Sequence, residues 1–315
     1  MAENQTDKQA VKETAAAVEP DKKKLRIGFA FLALVPLAVF LMIQTVSQVP
    51  FIIMAAAEVM NGGAATGLSE TFDFYESLML VFNEKYSLYA YLIYAVLGLV
   101  VFGIWYYKGF VKNSPKVKFG QVFGVKSVLA SIGIVAGFYF SINAVLTLLM
   151  QLLPDLMESY NQLLEMAGIG SNTLVTIIYA IVLGPILEEL VFRGVIYSYL
   201  EKAGLRPIVV ILITGILFGF VHMNIVQSTY AAILGILLGF LRYKYRSIKL
   251  TIFAHILLNF SGTYGEMALH KLGLSDSIYI ILGGIGLFVI VFSAVLVNSD
   301  KKAFKASNEG QEQLN

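Results

Sequence analysis

The chain has 315 residues, of which 57% are apolar and 14% charged, with a formal net charge of +2, three histidines and no cysteine. A soluble globular domain carries nearer a quarter charged residues, so this composition excludes an ordinary soluble domain and points to a polytopic membrane protein. The missing cysteine excludes disulfides, thiolate metal ligands and a cysteine nucleophile.

Residues 1–24 are polar, show no secretory signal pattern, and are expected to form a disordered cytosolic arm. Apolar runs of about 20 residues can cross the roughly 30 Å hydrocarbon core, and eight are expected. The first covers about 25–56, with Pro36 and Pro50 predicting a kink. An acid-rich polar stretch from Glu58 to Lys85 follows, then a second span at about 87–107. A loop with five lysines, Lys108 to Lys126, leads to a third span at about 127–153, and an acidic loop holds Asp155, Glu158 and Glu165. The fourth span, about 173–200, contains LGPILEELVFRG, where Gly184-Pro185 should bend the helix. The fifth (208–222), sixth (227–241), seventh (250–264) and eighth (278–297) complete the set, and Tyr243 and Tyr245 read as interface anchors. The fold class is therefore all-α. The expected divisions are the arm at 1–24, three helices at 25–172, a catalytic core of four helices at 173–264, an outer loop with the last helix at 265–298, and a cytosolic tail at 299–315.

With eight spans, the five Lys/Arg-rich segments (22–26, 108–126, 202–206, 242–249 and 301–305) fall on one side. The positive-inside rule makes that side, with both termini, cytoplasmic, in a cell membrane. The basic loops are topology determinants first and sites for anionic lipid second. The expected partners are the lipid bilayer and a membrane-associated peptide or protein, with no nucleic acid.

Chemistry concentrates on Glu188, Glu189 and Arg193. An ionised side chain at a helix centre costs about 2.5–3.5 kcal/mol on insertion scales, so such residues face protein or water and mark function. Glu189 and Arg193 share a helix face at i,i+4 and can pair; Glu188 points about 100° away and is left free to react. His222 shares a face with Phe218, and His255 with Asn259. A carboxylate and an imidazole can polarise water, while a second imidazole and an amide can stabilise an oxyanion. The turn at 204–207 places Glu188 and His222 each about 23 Å from it, at one level. His255, six residues past Lys249, falls roughly 9 Å above the cytoplasmic end by the same count, a mismatch in depth. Taken alone, Glu189–Arg193 reads as a self-satisfied pair, His222 as an interfacial hydrogen-bonder, Asn259 as glue between helices, and Phe218 as a packing wall. His270, in an outer loop, is a solvated control.

EELVFR, FGFVH and HILLN fit Glu-Glu-x-x-x-Arg, Phe-x-x-x-His and His-x-x-x-Asn, in that order, each inside a span. Over about 173–259 the chain resembles the CPBP family of CAAX-protease and bacteriocin-processing (Abi) intramembrane proteases, with a type II CAAX prenyl endopeptidase-like core. The resemblance implies Glu188 as water-activating base, His222 as its assistant, and His255 and Asn259 at the oxyanion. Glu189, Arg193 and Phe218 would support them. It also leaves open a zinc site from Glu188, His222 and His255; without a His-Glu-x-x-His helix, a mechanism with no obligatory metal is preferred. The expected function is an intramembrane endopeptidase, in bacteriocin immunity or peptide maturation. The alternatives are a transporter using the intramembrane carboxylates and a non-proteolytic immunity or scaffold protein. No Gly-x-Ser-x-Gly motif and no aspartate within a span support serine or aspartyl chemistry.

Overall fold

A computed structural model describes residues 26–61, 71–114, 117–166, 177–265, 269, 271–301 and 303. The expected arm at 1–24, most of the tail and His270 lie outside the described residues. Among these, the elements are helices joined by short turns, with no strand. The chain is an all-α polytopic membrane protein.

In chain order the main helices are α1 (Ile27–Asn61), α2 (Phe74–Val111), α3 (Val125–Leu152), α4 (Pro154–Met166), α5 (177–202), α6 (Pro207–Phe220), α7 (Ile225–Tyr245), α8 (Ile248–Phe260) and α9 (Asp276–Asn298). Five of them, α1, α2, α3, α7 and α9, are long and apolar enough to cross a membrane. The other three expected spans correct the picture of eight equal crossings. Helix α5 carries three charged residues at mid-length, and α6 and α8, with 14 and 13 residues, reach only about 20 Å. These short or charged helices form the site, and α6 still turns Ile208, Leu212, Ile216 and Phe220 outward.

Two further expectations change. The polar stretch 58–85 is helical at both of its ends, because α1 runs on to Asn61 and helix resumes at Thr71. There the Glu58 carboxylate takes both an ion pair from Lys85 and a hydrogen bond from Tyr86 at 3.1 Å. The acidic loop after α3 is the amphipathic helix α4, which starts at Pro154 and buries Met157 and Tyr160 against Val226. Its polar face hid the helix from a reading made by span length.

Small residues set the two closest helix pairs. Helices α3 and α9 meet through Gly133, Gly137, Gly283 and Gly286, and a Cβ on Gly137 would stand 2.5 Å from the Gly286 carbonyl oxygen. Helices α6 and α7 meet through Gly215, Gly219 and Gly235; a Cβ on Gly235 would stand 2.7 Å from the Gly215 Cα. Lipid offers no hydrophobic drive for helix association, so close backbone approach supplies it through van der Waals contact and interhelical hydrogen bonds.

One end of the bundle gathers the basic segments. The Arg26 amide donates to the Ala203 carbonyl, Lys202 Nζ to the Gly109 carbonyl, and Arg246 pairs with Glu201. The Tyr245 hydroxyl donates to Asp300 at 3.0 Å, so the start of the C-terminal tail joins the same end.

Candidate active site

Helix α5 holds the site, and its backbone is irregular on both sides of the carboxylates. A π-helical turn, Tyr179–Leu183, precedes Gly184–Glu189, and a second π-helical stretch, Leu190–Ile196, follows. Pro185 follows directly on that π turn inside the continuous helix, where it brings no N–H to the backbone ladder. The expected bend at Gly184-Pro185 is thus taken up as a widened turn.

The two adjacent glutamates differ in environment. The Glu189 side chain is fully buried and accepts from Arg193 Nη1 at 2.8 Å. Arg193 is buried as well; its Nη2 donates to the Gly235 carbonyl at 3.1 Å, and its guanidinium lies 4.5 Å from the centre of the Phe218 ring. Such a cation–aromatic contact strengthens when desolvated. The Glu188 side chain stays 26% exposed, and its Oε2 lies 3.6 Å from His255 Nε2.

His255 joins the two acids. Its Nδ1 stands 3.1 Å from Glu189 Oε1 while Nε2 faces Glu188. Glu189 as the acceptor puts the Nδ1 proton on the buried side. Thr251, one turn earlier on the same face of α8, lies beside the same carboxylate. The depth mismatch read for His255 is closed. Twelve residues separate Glu189 from Glu201 and nine separate Arg246 from His255, an offset of about 4.5 Å. The long Arg246 side chain, paired with Glu201, covers that distance.

His222 follows α6, in the turn before α7. Its ring meets Phe218 edge-on at 5.1 Å, and His255 meets the same phenyl at 5.6 Å. His222 Nδ1 lies 2.8 Å from the Phe218 carbonyl. A carbonyl only accepts, so Nδ1 carries a proton and donates it, and Nε2 is the ring nitrogen left for other partners. Asn259 Nδ2 donates to the Ala180 carbonyl at 2.8 Å, inside the first π turn. Among the described residues no three His, Asp or Glu side chains come close enough together to hold a metal ion. Both histidines engage a protein acceptor through Nδ1, the Phe218 carbonyl for His222 and Glu189 for His255, which leaves each Nε2 as the atom that could meet a water or a metal.

Reading by motif missed the wall supplied by α2. Tyr91 stacks on Tyr179 at 4.9 Å and 15°, and Tyr94 lies 6.3 Å from the same ring. Tyr94 and Tyr179 both interact electrostatically with Glu188. The three-residue spacing of Tyr91 and Tyr94 marks one helix face, but nothing in it names the helix they meet.

Residues 170–261 match the family described as type II CAAX prenyl endopeptidase Rce1-like. A Bacillus subtilis (strain 168) protein named "Putative membrane peptidase YdiL" is 34% identical over 84 residues. That stretch covers 26% of this chain and 34% of the relative, so the match spans about a third of the relative's own length. No solved structure matches the chain. The matched residues contain Glu188, Glu189, Arg193, Phe218, His222, His255 and Asn259, and over residues 170–261 the chain carries an Rce1-like domain set within an all-helical membrane protein.

Proposed function

We propose that the protein is an intramembrane endopeptidase that hydrolyses a peptide bond in a small membrane-associated peptide or protein. The observation that carries this reading is the division of labour between adjacent acids. Glu189 is buried and neutralised by Arg193, while Glu188 is partly exposed beside His255.

Glu188 accepts a proton from water, and the water oxygen attacks the carbonyl carbon of the scissile bond. The carbonyl electron pair moves onto oxygen and then returns as the C–N bond breaks. The proton passes from Glu188 to the departing amine. The 3.6 Å separation of Glu188 and His255 is longer than a hydrogen bond; such contacts commonly tighten once substrate is bound. His222 Nε2 assists the water. The second amide hydrogen of Asn259 attends the oxyanion, joined by His255 Nε2 when the ring is an imidazolium with a proton on both nitrogens, a role typically worth 10²–10³ in rate for one donor. Glu189, itself held by Arg193, fixes the His255 ring through its Nδ1–H. No step is routed through a metal.

The basic end of the bundle, with both termini, is assigned to the cytoplasm by the positive-inside rule. Glu189 then lies about 18 Å, twelve residues, from Glu201 at that end, within the hydrocarbon depth. The core of four helices at 173–264 would be the catalytic unit, and the three helices before it would supply one wall. Bacteriocin immunity and peptide maturation are the biological settings proposed for such a peptidase.

The test is a comparison of membrane peptides in cells with the wild-type chain and with Glu188→Ala at matched protein levels. An uncut peptide that accumulates only in the variant supports the reading and identifies the substrate. Identical peptide populations, together with transport that His255→Ala spares and Glu188→Gln abolishes, would overturn it in favour of a permease.

A further inference from the structure

The two π turns that flank the carboxylates share a feature. Each has a backbone carbonyl taken by a side chain from a different helix. In Tyr179–Leu183 the Ala180 carbonyl accepts from Asn259 Nδ2 of α8 at 2.8 Å. In Leu190–Ile196 the Arg193 carbonyl accepts from Arg242 Nε of α7 at 3.2 Å. A π turn disturbs the ladder of α bonds and so offers carbonyls to outside donors.

Arg242 is built for that place. It is buried, its guanidinium lies 5.1 Å from the Tyr197 ring centre, and its Nη2 is 4.0 Å from Glu201. A buried guanidinium needs such partners to offset its desolvation. Its Nε–H points at α5, at the residue whose side chain grips Glu189. Asn259 is placed similarly: it sits one turn beyond His255 on α8 and reaches back to α5 nine residues before Glu189.

We infer that Asn259 and Arg242 are a pair of positioning residues that clamp the six-residue segment Gly184–Glu189 between its two π turns, and so fix the direction in which Glu188 and Glu189 meet His255. A π turn changes the rotational phase of everything that follows it. A clamp at each end sets the phase of the carboxylates relative to α8. Release of either turn would let the segment relax toward a regular α-helix and swing both acids around the axis. This inference deepens the peptidase reading, since it names what orients its reacting groups, but the geometry it describes exists without substrate.

The experiment uses the full chain in detergent micelles with histidines labelled with ¹³C at Cε1. Only three histidines are present, so three signals result, assigned by His222→Gln, His255→Gln and His270→Gln. The clamp predicts that Asn259→Ala and Arg242→Lys each shift the His255 signal while the His270 signal keeps its place. Arg242→Lys retains the buried charge and removes the Nε–H. Should that variant not fold, Arg242→Gln retains an N–H donor without the charge and must restore part of the wild-type His255 shift relative to Arg242→Ala. A His255 signal unmoved in Asn259→Ala or in folded Arg242→Lys overturns the clamp. No hydrolysis is measured, so a failed clamp and a failed peptidase reading are separate results.

Discussion

Two helix pairs in this molecule use the same packing device for different ends. In α3–α9, Gly133, Gly137, Gly283 and Gly286 bring backbones together, and the polar contacts between them include a Ser141 hydroxyl on the Gly283 carbonyl at 3.2 Å and Gln151 Nε2 on Asp276 Oδ2 at 2.8 Å. In α6–α7, Gly215, Gly219 and Gly235 do the same, but Gly235 also hands its carbonyl to a buried guanidinium from a third helix. The first interface closes a wall. The second anchors a chain of contacts from Gly235 through Arg193 and Glu189 to His255. The difference teaches that a close approach becomes functional when a charge from outside the pair is brought to its backbone.

The largest break in that comparison is expected from Arg193→Met. It strands Glu189, which is fully buried, without its cation, and losing one partner of a buried pair costs about 3–5 kcal/mol. The thermal midpoint of the purified protein should fall steeply, with little folded protein recovered.

Matched glycine substitutions sharpen it next. A Cβ on Gly137 would stand 2.5 Å from a carbonyl oxygen, and one on Gly235 2.7 Å from the Gly215 Cα and 3.2 Å from Arg193 Nη2. Each alanine should cost about 1–3 kcal/mol by overpacking. Only Gly235→Ala should also lose hydrolysis in the fraction that remains folded, measured as turnover per folded molecule. A smaller effect is expected at the docking of α4. Tyr160→Phe removes the hydroxyl that meets Tyr230 at 3.1 Å, a loss of about 1 kcal/mol, with turnover unchanged. The smallest is Ser141→Ala, about 0.6 kcal/mol by the average for hydrogen bonds between membrane helices, visible in unfolding and silent in activity.

Much of the site was legible because helical spacing converts residue numbers into faces. Glu189 and Arg193, His255 and Asn259, and Phe218 and His222 each lie four apart; the first pair meets across one helix turn, and the rings of the last pair meet although His222 stands in the turn beyond α6. The glycines at 133 and 137, 215 and 219, and 235 and 239 repeat the same interval and could have flagged the tight pairs in the same way. The π turns were not legible, since a hydrogen-bond register is a property of the whole packed helix and not of residue type. Helix α4 was hidden for another reason. Asp155 and Glu158 were read as loop acids, whereas Met157, Tyr160 and Leu164 form the apolar stripe beneath them. The resemblance implies His222 as assistant to Glu188 and the helix count puts the two at one level, but neither says that its ring would also bond to the Phe218 carbonyl.

The most direct measurement takes the peptide that accumulates with Glu188→Ala and incubates it with purified wild-type protein, Glu188→Gln and His255→Gln, with and without a chelator. Cleavage by the wild type alone, at equal folded protein, is the predicted result. Cleavage that persists in Glu188→Gln would contradict the account.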